Sequence, residues 1–278
     1  MRDSIEMIAL TKKSPPHPFL QVTQKLLRQV NDRRRPFLNS PSLDKYQGNA
    51  ESVLQCCIAY NQYGGYCVPL SSIHRPATQK ILSGEIWEPE TLEFMLKHCG
   101  TGDIVHAGTY FGDFLPALSR ACPGDVKVWA FEPNPENYRC ASMTIALNSL
   151  HNVECQNAGL GSKQGSMPML VTDKTGKPLG GESRLIGAKS NAKGQMVRVK
   201  VLKIDDVIPT DRKVSIVQLD VEGFERPALV GAMATIERCK PILILENLPN
   251  EDWLSANLFQ LGYKIVGKVH ANTILSAS

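Results

Sequence analysis

Five short apolar runs follow Gly100 and alternate with segments of helical pattern. The runs are DIVHAGT, VKVWAFEP, NVECQNAGL, VSIVQLDVEG and PILILEN. Their apolar character is largely continuous, which is typical of strands buried on both faces of a parallel sheet. Helical patterns occupy the gaps, at residues 113–121, 135–147, 226–237 and 253–261. The alternation predicts a doubly wound α/β fold, in which ligands bind where the parallel strands end.

The first hundred residues differ from this pattern. Residues 1–48 are rich in proline and basic side chains, and one short helix is expected over 19–31. The chain has a net charge of +4, whereas residues 1–40 carry eight Lys or Arg against three Asp or Glu. Such a run is usually a solvated arm, and an anionic partner is the alternative. Residues 49–100 are expected to form a helical cap, with helices over 49–60 and 88–98.

Composition excludes several classes of protein. Hydrophobic residues make up 42% of the 278 residues and charged residues 21%, which is sufficient for a core and incompatible with general disorder. No apolar run approaches the ~20 residues that span a bilayer, and the N-terminus lacks a secretory signal, so a cytoplasmic protein is expected. The eight cysteines include no CxxC pair, so we expect reduced core thiols and no metal site.

A polar insertion at residues 162–196 interrupts the domain predicted over 101–278. It is rich in Gly, Ser and Lys, in contrast to the apolar runs on either side. Long polar segments within a compact sheet are more often functional or mobile than structural.

Two glycines four residues apart, Gly108 and Gly112, follow the first predicted strand. Glycine lets the backbone approach a ligand closely, but the GxGxxG pattern of pyrophosphate-binding loops is absent. A turn that serves only packing is the alternative interpretation.

An acidic residue, Glu132, ends the second predicted strand, 24 residues after Gly108. A carboxylate at this position can accept hydrogen bonds from both hydroxyls of a ribose. Capping of the next helix is the alternative. We expect this carboxylate to face an open cleft. Together with a glycine loop that lacks a phosphate cradle, it favours an adenosyl ligand without pyrophosphate, such as S-adenosylmethionine.

Two further carboxylates, Asp220 and Glu222, end the fourth predicted strand, and Glu246 and Asn247 end the fifth. Acids at a strand end can orient a ligand ammonium, accept a substrate proton or cap the following helix. Asp220 and Glu246 could also hold a hard cation.

These motifs resemble the FkbM family of methyltransferases over residues 103–268. The matching segments are GTYFGDF, FEPNPENY, NVECQNAGLG, GGESRL, IDDV, LDVEGFERPALVGA and PILILEN. The resemblance implies a class I, Rossmann-like methyltransferase fold, with a doubly wound and mostly parallel seven-stranded sheet preceded by the helical extension.

The resemblance also implies roles for individual residues. Four would surround the methionine portion of S-adenosylmethionine: Gly108, Tyr110, Gly112 and Asp113. Glu132 would hold the ribose with Pro133 and Asn134 beside it, Asn157 and Ala158 would lie by the adenine, and Asp220 and Glu222 would face the transfer site.

His106 departs from the family pattern, which usually has Asp at this position. An imidazole can still bond the loop or the cofactor's amine region when it is neutral, but the substitution removes a negative charge near a cationic ligand.

The function that the resemblance implies is O-methylation of a hydroxyl on a sugar, glycan or secondary metabolite. The expected base is Glu222, then Asp220, then His106. Arg75 and Trp87 would suit a sugar, although core packing is the more usual role for Trp87. The partner is a small-molecule or glycan acceptor, and a homodimer is left open.

Three alternatives remain at this stage. One is a non-catalytic binding protein on a degenerate methyltransferase fold, and another is a nicotinamide oxidoreductase, which the absent third glycine disfavours. A nucleic-acid methyltransferase is also disfavoured, because the fourth strand is followed by DVEG instead of the Asn/Asp-Pro-Pro-aromatic motif.

Overall fold

The computed structural model describes residues 53–187 and 190–277. The basic arm predicted over 1–48, with its helix over 19–31, lies outside these residues. Among the described residues, no helix combines the length and the apolar character needed to cross a membrane.

A β-hairpin opens the described chain, where a helix over 49–60 is predicted, so that prediction is wrong for residues 56–60. Strands β1 (Cys56–Asn61) and β2 (Gly64–Pro69) pair antiparallel, with Tyr60 opposite Gly65. A Cβ on Gly65 would lie 2.8 Å from the Tyr60 ring, so the GG pair accommodates the partner strand instead of ending a helix.

Two helices follow the hairpin and lead to the first sheet strand. They are α1 (Pro76–Leu82) and α2 (Pro89–His98), the second close to the predicted 88–98. Strand β2 is almost wholly buried, and the Cys67 amide donates to Thr144 Oγ1 at 3.0 Å. The predicted cap is therefore a mixed α and β segment that packs on the domain.

The first half of the domain alternates strand and helix as predicted. Its elements are β3 (Asp103–Ala107), α3 (Leu115–Ala121), β4 (Val128–Phe131), α4 (Pro135–Asn148) and β5 (Val153–Gln156).

The insertion forms a small sheet of its own. Its strands β7 (Gly165–Leu170) and β8 (Arg184–Leu185) join two strands that flank the insertion, β6 (Gly159–Leu160) and β9 (Met196–Leu202), in the order β6-β9-β7-β8, with α5 (Ile204–Val207) after them. The run NVECQNAGL, predicted as one strand, divides at Asn157 and Ala158 between β5 of the large sheet and β6 of the small one.

The second half of the domain completes the large sheet. Its elements are β10 (Val214–Leu219), α6 (Glu225–Val230), α7 (Met233–Cys239), β11 (Ile242–Leu245), α8 (Glu251–Asn257), β12 (Tyr263–Val269) and β13 (Asn272–Ala277). The helix predicted over 226–237 is broken at Gly231, where a Cβ would lie 2.1 Å from the Gly161 carbonyl oxygen.

The large sheet has seven strands in the order β5-β4-β3-β10-β11-β13-β12. Its first five strands are parallel, and β13 runs antiparallel to both neighbours. The predicted doubly wound, mostly parallel sheet is confirmed. The chain reverses its winding direction between β3 and β10, and ligands bind at such a point in open α/β sheets.

A buried ion pair stabilises the sheet where the parallel strands begin, at the end away from the ligand-binding edge. Asp103, 1% exposed, accepts from Arg212 Nε at 2.8 Å, from the Lys127 amide at 2.9 Å and from Trp129 Nε1 at 2.7 Å. One side chain at the start of β3 therefore ties together β4 and the loop before β10.

We expect Asp103→Ala to lower the free energy of unfolding by roughly 2 to 4 kcal/mol, because it leaves the donors of Arg212, Lys127 and Trp129 without their shared acceptor. Urea denaturation would measure the change. Asp125→Ala is the matched control, since Asp125 pairs with the same arginine but is 93% exposed. A similar loss in both variants would contradict the role given to burial.

Candidate active site

Two adjoining cavities lie where β3, β4, β10 and β11 end. The first, of about 30 Å³, includes Glu132, Ala158 and Leu185 in its lining. The second, of about 270 Å³, includes carboxylates and the edge of the N-terminal segment. Gly108, Gly181 and Asp220 line both, so the cavities form one cleft.

Gly108 allows the ends of β3 and β10 to touch. Its φ is +84°, and a Cβ there would lie 1.8 Å from the Asp220 carbonyl oxygen. The Asp220 amide in turn donates to the Ala107 carbonyl at 3.1 Å. Asp220 is thereby fixed beside the glycine loop.

Glu132 is buried beneath that loop instead of facing an open cleft, so this expectation is wrong. It is 4% exposed, and its two oxygens accept from the amides of Tyr110 and Asn134, each at 2.8 Å. Burial raises the pKa of Glu132 to about 8, although the two amide hydrogen bonds act in the opposite direction. Each oxygen keeps a lone pair, so the carboxylate can still accept from a ligand in the first cavity that it lines.

Several predicted ligand-binding residues make contacts within the protein. The Tyr110 hydroxyl bonds Ser72 Oγ at 2.6 Å, although the Tyr110 ring also lines the second cavity. Asn134 caps α4 by accepting from the Glu136 amide. Gly112, with φ at +84°, packs against α4.

Residues predicted beside the adenine divide in the same way. Asn157 is exposed, and its amide donates to the carbonyl of Glu132 at 2.8 Å and to that of Pro133 at 3.3 Å. Pro133 and Ala158 do line the first cavity. Asn157 thus holds the strand end rather than the cavity wall.

Carboxylates dominate the second cavity. Burial raises the pKa of Asp113 to about 7. It also raises that of Asp220, which is raised further by the charge of Glu246 and a hydrogen bond to it. Both effects disfavour the charged form of Asp220 and therefore favour its protonated form.

Glu222 forms a cluster with Asp220 and Glu246, and its carboxyl titrates near neutrality. Burial raises its pKa to about 7, the Glu246 charge adds to this, and Arg184 opposes it. One oxygen from each of Asp220, Glu222 and Glu246 lies within 4.8 Å of the others. Carboxylates this close repel one another when ionised, which favours a proton on one of them, and the same spacing would also admit a hard cation.

His106 lies at the base of the second cavity and is 3% exposed. Its Nδ1 is 2.6 Å from Gln218 Oε1, and its ring stacks on Phe114 at 5.5 Å between centroids. Burial lowers the pKa of His106 to about 4, so the imidazole is neutral at pH 7.

Sequence reasoning missed contributors from the insertion and from β10. Gly181 lines both cavities, and Ser183 accepts from Asn134 Nδ2 at 3.0 Å, which fastens the insertion to α4. Gln218 lines the second cavity beside His106. Its two-residue spacing from Asp220 could have revealed it, because alternate residues of a strand share a face.

The sheet order, the glycine loop at the switch point and the acid at the end of β4 define a class I methyltransferase. The methyltransferase FkbM domain matches residues 106–265, more than half of the chain. The chain therefore belongs to the FkbM family of methyltransferases.

Solved structures give weaker likenesses. Methyltransferase FkbM from Methylobacillus flagellatus is 21% identical with a TM-score of 0.43; the match covers 63% of this chain and 43% of that one. A SAM-dependent methyltransferase from Aquifex aeolicus is 14% identical with a TM-score of 0.38 and coverages of 74% and 93%. The chain thus spans less than half of the first protein. A comparison with curated proteins gives no match.

We expect Gly108→Ala to lower the free energy of unfolding by roughly 2 to 5 kcal/mol, because it adds a backbone clash to an unfavourable φ. Gly176→Ala is the matched control: its φ is +85° and nothing lies within 4 Å of the added Cβ. It should show only the conformational cost of roughly 1 to 2 kcal/mol. Equal losses in urea denaturation would show that the Asp220 contact is unimportant.

Glu132 should make nucleoside affinity depend on pH. Below about pH 8 the carboxyl must lose its proton before it accepts from both ribose hydroxyls, so affinity should fall by up to about tenfold per pH unit from pH 8 to pH 6. The probe is 5′-methylthioadenosine, which has the ribose but no amino acid, and calorimetry would measure its binding.

The variant Glu132→Gln should bind this probe roughly 30- to 1000-fold more weakly than the natural protein does at pH 8. It should also lose the pH dependence. Thermal unfolding under the same conditions would show that the variant is folded. A pH dependence that persists in this variant would assign it to another group.

Proposed function

We propose that this methyltransferase methylates a hydroxyl group of a sugar, glycan or secondary metabolite. The observation that carries the proposal is Glu222, a carboxylate with a pKa of about 7 that lines the second cavity beside Gly108. An alcohol is almost wholly protonated at neutral pH, so its methylation requires a group that takes the proton as the new bond forms.

The residues present fit S-adenosylmethionine. Gly108 lines both cavities at the strand end, and Glu132 supplies an acceptor for ribose hydroxyls. The second cavity adds carboxylates, including Asp113 and Glu88, that suit a cationic sulfonium and ammonium. When bound, the cofactor supplies an electrophilic methyl carbon. The chain's own part is to hold the acceptor oxygen in line with it.

Glu222 is better suited than Asp220 to act as the base. Burial and the neighbouring Glu246 raise the pKa of Asp220, which favours a protonated carboxyl that cannot accept the proton of an alcohol. Glu222 has a pKa of about 7, and a group that titrates near the working pH combines a large ionised fraction with sufficient basicity. Its φ of +55° is uncommon for a side chain other than glycine, and such strain often marks functional positions.

The N-terminal segment supplies the wall for the acceptor. Trp87 is partly exposed and lines the second cavity, whereas core packing is the more usual expectation for it. Arg75 lines the same cavity and pairs with Glu182 from the insertion. A flat aromatic face beside fixed polar groups suits the alternating apolar and hydroxyl surfaces of a sugar.

The direct test is transfer from methyl-labelled S-adenosylmethionine to a panel of simple methyl glycosides, aminoglycosides and phenols, read by mass spectrometry. Product that is stable to mild alkali identifies a methyl ether and supports the proposal. Label found only in alkali-labile esters, or only on nitrogen, would contradict it.

We expect Glu222→Gln to reduce kcat by roughly 10²- to 10⁴-fold, because the base is lost. Affinity for S-adenosylhomocysteine should stay within about twofold, since the ribose contacts are untouched. In the natural protein kcat should fall below about pH 7, where Glu222 becomes protonated, and this limb should be absent in the variant. Glu237→Gln, on the exposed face of α7, is the control. A variant with unchanged kcat would exclude Glu222 as the base.

A further inference from the structure

His106 carries a buried acceptor that the contacts described so far do not use. Its Nε2 has no hydrogen-bond partner among the described residues, although the side chain lines the second cavity. A buried polar atom without a partner costs free energy, roughly 1 to 3 kcal/mol, unless a ligand or water satisfies it. This atom therefore indicates a missing contact within the cavity.

Gln218 determines the chemical character of that atom. His106 and Gln218 are register partners on β3 and β10, so their side chains lie side by side on one face of the sheet. Because Oε1 of Gln218 can only accept, Nδ1 of His106 must carry the proton. A neutral imidazole protonated at Nδ1 has a bare lone pair at Nε2, and only an N–H or O–H donor can satisfy it.

The position of His106 in the cavity favours the cofactor, and not the methyl-accepting substrate, as the source of the N–H or O–H group that bonds Nε2. His106 and Gln218, both 3% exposed, and Phe114, 5% exposed, form the deep end of the cavity against the sheet. The mouth is formed by Arg75, Glu182 and other partly or fully exposed groups. An acceptor must enter and leave through the mouth, whereas the deep end adjoins Gly108 and the first cavity.

We propose that Gln218 is a positioning residue that holds His106 as the Nδ1–H tautomer, so that Nε2 accepts a hydrogen bond from the ammonium group of S-adenosylmethionine. This inference rests on the proposed placement of the cofactor in the cleft. A neutral acceptor thus performs a task for which a charged carboxylate is the usual choice, and Asp113 in the same cavity supplies negative charge for the ammonium.

The first measurement needs no ligand. Long-range proton–nitrogen spectra of the full chain, labelled with ¹⁵N in histidine, distinguish the two tautomers, and His106→Asn identifies the signals. We expect the Nδ1–H form at neutral pH. Observation of the Nε2–H form would overturn the proposal, because the Gln218 amide would then be reversed and Nε2 would be a donor.

Two nucleosides then test the donor. S-adenosylhomocysteine carries the ammonium, whereas 5′-methylthioadenosine lacks the amino acid. We expect the Nε2 resonance to shift with the first and not with the second. Bound S-adenosylhomocysteine without a shift would refute the contact. If neither nucleoside binds, the cofactor placement itself fails, which the tautomer measurement alone would not show.

Variants at position 218 separate positioning from packing. Gln218→Met keeps the bulk but removes the acceptor, so we expect a mixed tautomer and roughly tenfold weaker binding of S-adenosylhomocysteine, with 5′-methylthioadenosine unaffected. Gln218→Glu restores an acceptor for Nδ1–H and should restore both the tautomer and the preference between the nucleosides. Equal weakening of both ligands in Gln218→Met, without rescue by Glu, would indicate a merely structural role.

Discussion

The site depends on a contact between two backbones, where the end of β3 meets the end of β10. Gly108 approaches the Asp220 carbonyl so closely that a single added carbon would lie 1.8 Å from it. Parallel strands deliver their last residues to one edge of the sheet, and the reversal of winding between these two strands opens a crevice there. The contact gives the two cavities a shared wall, and it sets Asp220 beside the glycine loop.

Burial gives the groups along this wall their chemical character. The second cavity collects carboxylates whose pKa values are raised, because they lie in a poorly hydrated place and repel one another. Burial acts oppositely on His106 and keeps it neutral. The same desolvation therefore favours the protonated form of Asp220, gives Glu222 a pKa near neutrality and leaves an uncharged acceptor at His106. A methyl transfer that must bind a cation and remove a proton can use all three.

The polar insertion contributes to the site by packing against the residues that line it. Gly180, with φ at +58°, fits against Tyr110, Ser72 and Arg75, and its carbonyl accepts from Asn137 at 3.1 Å. Gly181 can therefore line both cavities while the neighbouring strands pair in a separate small sheet. The segment is thus joined to both the glycine loop and the N-terminal segment.

The sequence by itself determined the parallel sheet, its ligand-bearing edge and most of the acids on it, because continuous apolar runs and strand-end residues are local signals. The sequence-based prediction was wrong at residues 56–60, where the spacing of apolar residues indicates a helix. The chain forms a strand there because β2 pairs with it, and β2 in turn packs on α4. Only the tertiary structure decided that Glu132 is buried under two amides, that Asn157 supports a strand end and that Gln218 fixes His106. These outcomes arise from contacts between residues 20 to more than 100 positions apart, and no local pattern of residue types encodes such distances.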